Sequence, residues 1–321
     1  MIDDEGEWLP LKDAAARLGI GRDTLRGRRQ LGRHKVKQIG SEYLYLVSSV
    51  EKSSRITNEE IIALLDDVES PAKIDGTYRI LSLFDVHVPE ADAWSFKAVI
   101  DFAKDSQPNH IVLGGDFLEL ESCSQHGGIA SPNALVDDIK AGRKALDRLR
   151  EACPSAAFTY LEGNHETRLN RTVASQLPTF DGALSLRELL RLDEMGCEWV
   201  PYRKLWTPPI PNAELAYTHG EWASLHHAKK HVEAYGMSVR YGHTHRPQTY
   251  SRSYGDGRIV VGIGTGCLRT LDPGWIGPNN GWTHGFGFDE FTPDGAVTAH
   301  NIVISRRRFA WGGKVYGKSV A

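Results

Sequence analysis

The series Asp85-x-His87, Gly115-Asp116, Gly163-Asn164-His165-Glu166, His219 and Gly242-His243-Thr244-His245 constrains this chain more than any other feature. In order it offers seven metal-ligand candidates, Asp85, His87, Asp116, Asn164, His219, His243 and His245, and one further imidazole, His165. Two cations about 3.5–4 Å apart can clamp the attacking and leaving oxygens of a phosphoryl centre and bring a water between them toward a pKa of about 7. Holding cations that close requires a carboxylate touching both. Asp116 is the natural bridge.

The residues before each ligand read as short apolar strands: Tyr78 to Phe84, His110 to Leu113, Phe158 to Leu161, Leu215 to Tyr217 and Val239 to Tyr241. Loops at the carboxyl ends of strands are where α/β sheets place their ligands. The glycines allow the backbone to approach where a Cβ would obstruct it. One such His or Asp alone has a simpler account as a surface or hydrogen-bonded core residue. Five runs that each end in a ligand do not.

This constellation resembles the calcineurin-like metallophosphoesterase superfamily over about residues 78–305. The resemblance implies an α/β fold, a sandwich of two mixed β-sheets flanked by helices. It further implies that Asp85, His87, Asp116 and His245 hold a first metal, that Asp116, Asn164, His219 and His243 hold a second, and that His165 is the acid. Mixed Asp/Asn/His ligation suits Mn, Fe or Zn better than Ca, and Mg less well because of the imidazoles; Mn ranks first. One departure is Val88-Pro89, which stands where family members often carry a small residue after the first Asp-x-His and leaves the shape of that loop open.

The opening segment has a separate character. Residues 11–40 hold nine Lys/Arg against two Asp, within a chain whose formal net charge is −3. Leu11 to Leu18 reads as a helix with Leu11, Ala14, Ala15 and Leu18 on one face. Gly19-Ile20-Gly21 turns into a second helix from Arg22, and Val36 to Leu46 alternates around Gly40-Ser41 as a hairpin would. This order resembles the small winged helix-turn-helix modules of excisionases and MerR-type regulators over about residues 8–51. The resemblance places Arg22, Thr24, Arg26, Arg28 and Arg29 at a DNA groove, where Arg reads guanine edges or phosphates. A solvated basic helix, or a module for protein contact, is the plainer alternative; the charge excess favours nucleic acid as partner.

The expected domains are therefore 1–51, a helical linker at 52–77 carrying a helix over Thr57 to Leu65, and a phosphoesterase domain at 78–321. At 321 residues there is room for one large domain and one small one. No apolar run is long enough to span a membrane, and the acidic start does not resemble a signal peptide. Four cysteines with no Cys-x-x-Cys pair read as free thiols, so a cytoplasmic location is expected.

Helices are expected at about 92–105, 134–151, 184–192 and 224–235, with hairpins around Gly255-Asp256-Gly257 and Pro293-Asp294-Gly295. Val261 to Gly266 lacks the helix of a nucleotide fingerprint and reads as a glycine-rich bend beside the metals. His227 and His231, one helical turn apart, could bind a metal, though a wet face shared with Lys229 and Lys230 is the better account. Arg306-Arg307-Arg308 reads as a solvated strand end. Trp275 and Trp282 either stack a base or pin a long loop.

Phosphoprotein phosphatases typically carry Gly-Asp-x-x-Asp-Arg-Gly, whose Arg grips phosphate with two parallel bonds. Here Gly115-Asp116-Phe117-Leu118 leads into Glu119-Leu120-Glu121, and the Arg is absent. Those enzymes also usually lack the last His, present here as His245. Arg168 is the candidate substitute grip. The expectation is thus a phosphoric ester hydrolase, a phosphodiesterase or nuclease using a metal-bridging hydroxide. The alternatives are a phosphomonoesterase or phosphoprotein phosphatase, or a DNA-binding protein that uses the fold as scaffold.

Overall fold

The computed structural model describes residues 2–3, 6–18, 21–30, 36–39, 41–47, 76–124, 133–180, 184–274, 276–277 and 279–318; for 2–3, 6 and 27–30 it describes the backbone alone. The expected linker helix, the turn at Gly19-Ile20, the hairpin residue Gly40 and Trp275 lie outside these residues. The chain divides into two units, Met1–Lys73 and Ile74–Ala321.

In the first unit, strands β1 (Ile2–Asp3) and β2 (Gly6–Pro10) precede helices α1 (Leu11–Arg17) and α2 (Arg22–Gln30), followed by β3 (Val36–Ile39) and β4 (Glu42–Val47). β3 and β4 pair as the alternation predicts. β1 and β2 were not foreseen; β2 pairs antiparallel with β4, giving the order β1-β2-β4-β3. Their strand state comes from that partner, because five residues ending in proline carry no pattern of their own. Ala14, Ala15, Leu18, Leu25, Tyr45 and Val47 form a small core. Arg22, Thr24 and Arg26 are exposed, and Arg26 lies 3.2 Å from Asp23. The side chains of Arg28 and Arg29 lie outside the described residues.

The second unit opens with β5 (Tyr78–Leu83), α3 (Ala93–Ser106), β6 (His110–Leu113), α4 (Ala134–Ala152), β7 (Ala157–Leu161) and α5 (Glu166–Gln176). It continues with α6 (Leu186–Leu189), β8 (Cys197–Val200), β9 (Ala216–Tyr217), α7 (His227–Tyr235) and β10 (Val239–Tyr241). Hairpins follow: β11 (Gln248–Ser253) with β12 (Ile259–Gly264), β13 (Gly285–Phe291) with β14 (Val297–Val303), and β15 (Arg308–Trp311) with β16 (Lys314–Gly317). α6 is shorter than the expected 184–192.

Two mixed sheets result, ordered β14-β13-β5-β6-β7-β8 and β11-β12-β10-β9. β5 to β8 run parallel, as do β9, β10 and β12, while β13 and β11 add antiparallel. Side chains alternate across a strand. Leu81, Leu83, Ile111 and Leu113 accordingly face Val99, Phe102 and Leu146 of the helices. Ile80, Phe84 and Val112 face Tyr217 and Ile263 of the other sheet. The layers are helix, sheet, sheet, with α7 packed on the outer side of β10 through Ala228.

One buried ion pair ties the sheets. Arg240 of β10 donates to Asp289 of β13 from Nε (2.8 Å) and Nη2 (2.5 Å), and the Tyr217 hydroxyl donates to the same carboxylate (2.8 Å). Such a pair adds little net stability but fixes register, and removing one partner leaves a buried charge. β10 is the strand that delivers His243 and His245, so its position matters to the site.

Val261 to Gly264 form part of β12, a strand and not the expected bend. At the C-terminal end, Arg306 and Arg307 form a turn with positive φ, Arg308 enters β15, and Arg307 lies 3.4 Å from Asp92. Among the described residues, no helix is long and apolar enough to cross a membrane.

Candidate metal centre

The parallel pairing runs on past the strand ends and sets the loops side by side. Gly114 N donates to Leu83 O, Asp85 N to Gly115 O, and His87 N to Asp116 O. The seven candidates thereby meet at the carboxyl ends of β5, β6, β7, β9 and β10. Their donor atoms gather into the groups Asp85–His87–His245 and Asp116–His219–His243, each able to hold a metal ion. Asn164 joins the second group: its Oδ1 lies 2.8 Å from His243 Nδ1 and 3.0 Å from His219 Nε2.

Both carboxylates are built alike. Asp85 Oδ2 accepts the His243 N–H at 2.8 Å, while Oδ1 is buried without a hydrogen bond and lies 3.4 Å from His245 Nε2. Asp116 Oδ1 accepts the His165 N–H at 2.8 Å, while Oδ2 lies 3.4, 3.7 and 3.9 Å from the Nε2 atoms of His219, His165 and His87. One oxygen is anchored by a neighbouring loop and the other is offered to the site. His87 Nε2 and His245 Nε2 face each other at 3.2 Å, so side chains of five loops converge. Burying so many bases together fits a cation better than it fits a packed core.

The backbone is strained here. Asp85, His87, Asp116, His243 and His245 all have φ between 49° and 65°. Each such non-glycine residue costs on the order of 1–3 kcal/mol, and this cost gathers where a surrounding structure fixes a functional geometry. Gly163 permits a close approach: a Cβ there would press on Asp116 N and Oδ1. At Gly115, with φ of 89°, a Cβ would lie 2.5 Å from His219 Nδ1.

Electrostatics follow from this crowding. Burial disfavours the charged form of His219, but the Asp116 and Asp85 carboxylates outweigh it and raise the group to about 9. Burial likewise opposes charge on His245, and Asp85 raises it to about 10. Burial and the neighbouring His165 push His87 well below the ordinary imidazole range. Asp116 is held well below the carboxylate range; burial opposes this, and His165 and His219 prevail. A field that favours imidazolium also favours a divalent cation.

Supporting contacts orient the ring. His219 Nδ1 donates to Gly114 O at 3.0 Å, which turns Nε2 into the site. Glu166 is fully buried and accepts from the N–H groups of Asp116, Phe117, Leu118 and Gly163 and from the Tyr160 hydroxyl. With five donors around it, it is a carboxylate, and it clamps the Asp116 loop to the Asn164 loop. Its place at the start of a helix after Gly-Asn-His was the signal for an anchoring role.

Glu119 was missed altogether. Its Oε2 lies 2.8 Å from His87 Nδ1, off the line of a hydrogen bond, and 3.1 Å from Arg269 Nη1. Its main-chain carbonyl accepts from His165 Nδ1 (2.8 Å) and Arg168 Nη1 (2.9 Å). The remaining nitrogen of His165 therefore accepts, from Arg168 Nη2 at 2.8 Å. Sequence offered one clue, a carboxylate three residues after Asp116. Nothing in the sequence pointed to Arg269.

Other candidates fall elsewhere. His227 and His231 are buried, not on a wet face: His227 Nδ1 lies 2.6 Å from the Tyr241 hydroxyl. His231 donates to His227 O and accepts from Glu221 N, so both its nitrogens are used. They lie on the inner face of α7, while Lys229, Lys230 and Glu233 are exposed on the outer one. Trp282 packs against the His245 ring, with centroids 4.3 Å apart, at the edge of the site.

No family model matches the chain. It is similar to the Gene 54 proteins of two phages. With that of Mycobacterium phage L5 it shares 26% identity over 258 residues, 74% of this chain and 98% of the relative. The match to the Gene 54 protein of Mycobacterium phage D29 has the same identity and extent. Among solved structures, vacuolar protein sorting 29 from Cryptosporidium parvum aligns with a TM-score of 0.38 and 11% identity, over 72% of this chain and 99% of that one. The phosphoesterase YfcE from E. coli aligns with a TM-score of 0.35 and 14% identity, over 71% and 100%. Scores of that size decide nothing about the site, which rests on its own residues.

Proposed function

We propose that the chain is a metal-dependent phosphoester hydrolase that acts on phosphodiesters, with nucleic acid as the substrate class. The observation that carries this reading is the pair of donor groups, Asp85–His87–His245 and Asp116–His219–His243, with Asp116 Oδ2 turned toward both. Asp85, His87, Asp116 and His245 would hold one divalent cation, and Asp116, Asn164, His219 and His243 the other. Bound there, the pair would supply Lewis acidity to the phosphoryl oxygens and a water of lowered pKa.

The protein's own groups do the rest. Arg168 is positioned to leave His165 Nε2 for a substrate oxygen, gripping phosphate in its fork. His165 Nε2, a lone pair at rest, would take a proton from solvent and pass it to the departing alkoxide, while the Glu119 carbonyl keeps Nδ1 in place. Glu119 also stands where phosphoprotein phosphatases carry the Asp before their phosphate-gripping Arg, and Leu120 stands in place of that Arg. This favours the diester over the phosphoprotein. For the first unit we propose a nucleic-acid-binding role of helix-turn-helix type, supported by its basic excess and exposed Arg22, Thr24 and Arg26.

The test is turnover of bis-(p-nitrophenyl) phosphate against p-nitrophenyl phosphate by chelator-stripped protein to which Mn, Zn, Fe or Mg is returned. The expected result is hydrolysis of the diester, strongest with Mn, and none after stripping. Preference for the monoester would move the reading to a phosphatase. No turnover with any metal would leave a DNA-binding scaffold.

A further inference from the structure

We propose that the cleft running from Asn164 along α5 is a second anion subsite, which holds the phosphate next to the scissile one in a polynucleotide strand. This rests on the phosphodiester reading above and deepens it. The cleft holds about 190 Å³, and Asn164, Arg168, Arg171, Thr172, Ser175 and Ser124 contribute to its walls. At its inner end is Asn164, whose Oδ1 faces His219 and His243. A strand with one phosphate at the metal groups would pass Asn164, which belongs both to the second donor group and to the wall of this cleft.

The helix geometry explains why two guanidinium groups collect there. Side chains on a helix lean toward its N-terminus, and residues three apart share a face. Arg168 and Arg171 therefore both reach back to the first turn of α5. Arg168 Nη2 ends 2.8 Å from His165 Nε2. Arg171 ends with Nη2 3.5 Å from Asn164 O and Nε 3.3 Å from Thr167 O.

Charge makes the cleft selective. Among the described residues no acidic side chain lines it, and Arg171 is paired only to carbonyls. Arg168 has Glu119 at 3.8 Å, but that carboxylate is closer to Arg269 and His87. Two cationic forks and the hydroxyls of Ser124, Thr172 and Ser175 thus border one opening. A guanidinium matches a phosphate with two parallel bonds, and long-chain anions gain most from a second such contact. An isolated diester would reach the metal groups and Arg168 but not Arg171.

The experiment compares the full chain with Arg171→Gln, an exposed position where the fold has little to lose. In EDTA, binding of a fluorescent trinucleotide is followed by anisotropy across a salt series. With Mn, kcat/KM is measured on a dinucleotide with a terminal phosphate and on bis-(p-nitrophenyl) phosphate. The variant should bind the trinucleotide several-fold more weakly, with a salt slope lower by about one. Its kcat/KM loss should be about tenfold greater on the dinucleotide than on the aryl diester. An unchanged salt slope, or equal losses on the two substrates, would overturn the subsite. The binding arm needs no turnover, so it decides the subsite even where the absence of hydrolysis has removed the enzymatic reading.

Discussion

Glu119 and His87 are joined across the candidate site: Glu119 Oε2 lies 2.8 Å from His87 Nδ1, and the same residue's carbonyl holds His165. One residue thus sets a negative charge behind a candidate ligand and a main-chain acceptor on the candidate acid. The contact with His87 is electrostatic, off the line of a hydrogen bond. A carboxylate behind a metal-binding imidazole raises its basicity, and losing such a partner typically costs about 10–100-fold in metal affinity. Glu119→Gln should weaken Mn binding by about that factor while leaving the His165 contact, which uses main chain. Titration calorimetry reads the affinity directly. Equal affinity in the two proteins would make Glu119 a partner of Arg269 alone.

Asp116→Asn should cut diester hydrolysis by orders of magnitude and lower the metal content measured by elemental analysis. A neutral amide at this position loses the charge that Oδ2 presents to His219, His165 and His87. Full activity with two metals bound would remove the bridging role.

His165→Ala should keep its metals and lose catalysis. Its ring hydrogen-bonds to the Glu119 carbonyl and Arg168, and the groups Asp85–His87–His245 and Asp116–His219–His243 keep their donors without it. General acid assistance is typically worth about 10²–10⁴-fold, most for poor leaving groups. The loss should therefore be larger on an alkyl diester than on the nitrophenyl diester. Metal loss in this variant would instead make His165 a ligand.

His110 supplies a pH dependence of stability. Burial lowers it to about 4 from an ordinary value of 6.5. Its neighbours explain the neutral form: Thr159 gives its hydroxyl hydrogen to Glu198, so His110 Nε2 donates to Thr159, and Tyr78 can donate to Nδ1. A histidine depressed on folding contributes stability that is fully present above its unfolded pKa of about 6.5 and is lost as pH falls toward its folded pKa. Urea midpoints should drop between pH 6.5 and 4, and His110→Gln should flatten that drop. An identical slope in the variant would assign the loss to other groups.

A chain beginning at Gly76 retains the whole second unit as far as the described residues define it. It should keep its turnover of a small diester, while losing affinity for duplex DNA and several units of salt slope, about one per phosphate contact. Equal DNA binding by the two chains at every salt concentration would point the first unit toward self-association, which sedimentation would show.

The ligand loops were legible in the sequence because each follows a short apolar strand, and strand period and glycine placement are local properties. The helix face of Leu11, Ala14, Ala15 and Leu18 and the hairpins at Gly255 to Gly257 and Pro293 to Gly295 were legible for the same reason. What only the tertiary structure decided was pairing and burial. β2 is a strand because β4 lies beside it, and Val261 to Gly264 is a strand because β10 and β11 flank it. His227 and His231 share their helix with two lysines, and packing against Tyr241 and Glu221 decided which face went inside. Glu119, Arg269 and Arg171 carry no periodic signal. Their contacts with His87, His165 and Asn164 arise between loops distant in sequence or from how a helix leans, and local pattern does not encode distance.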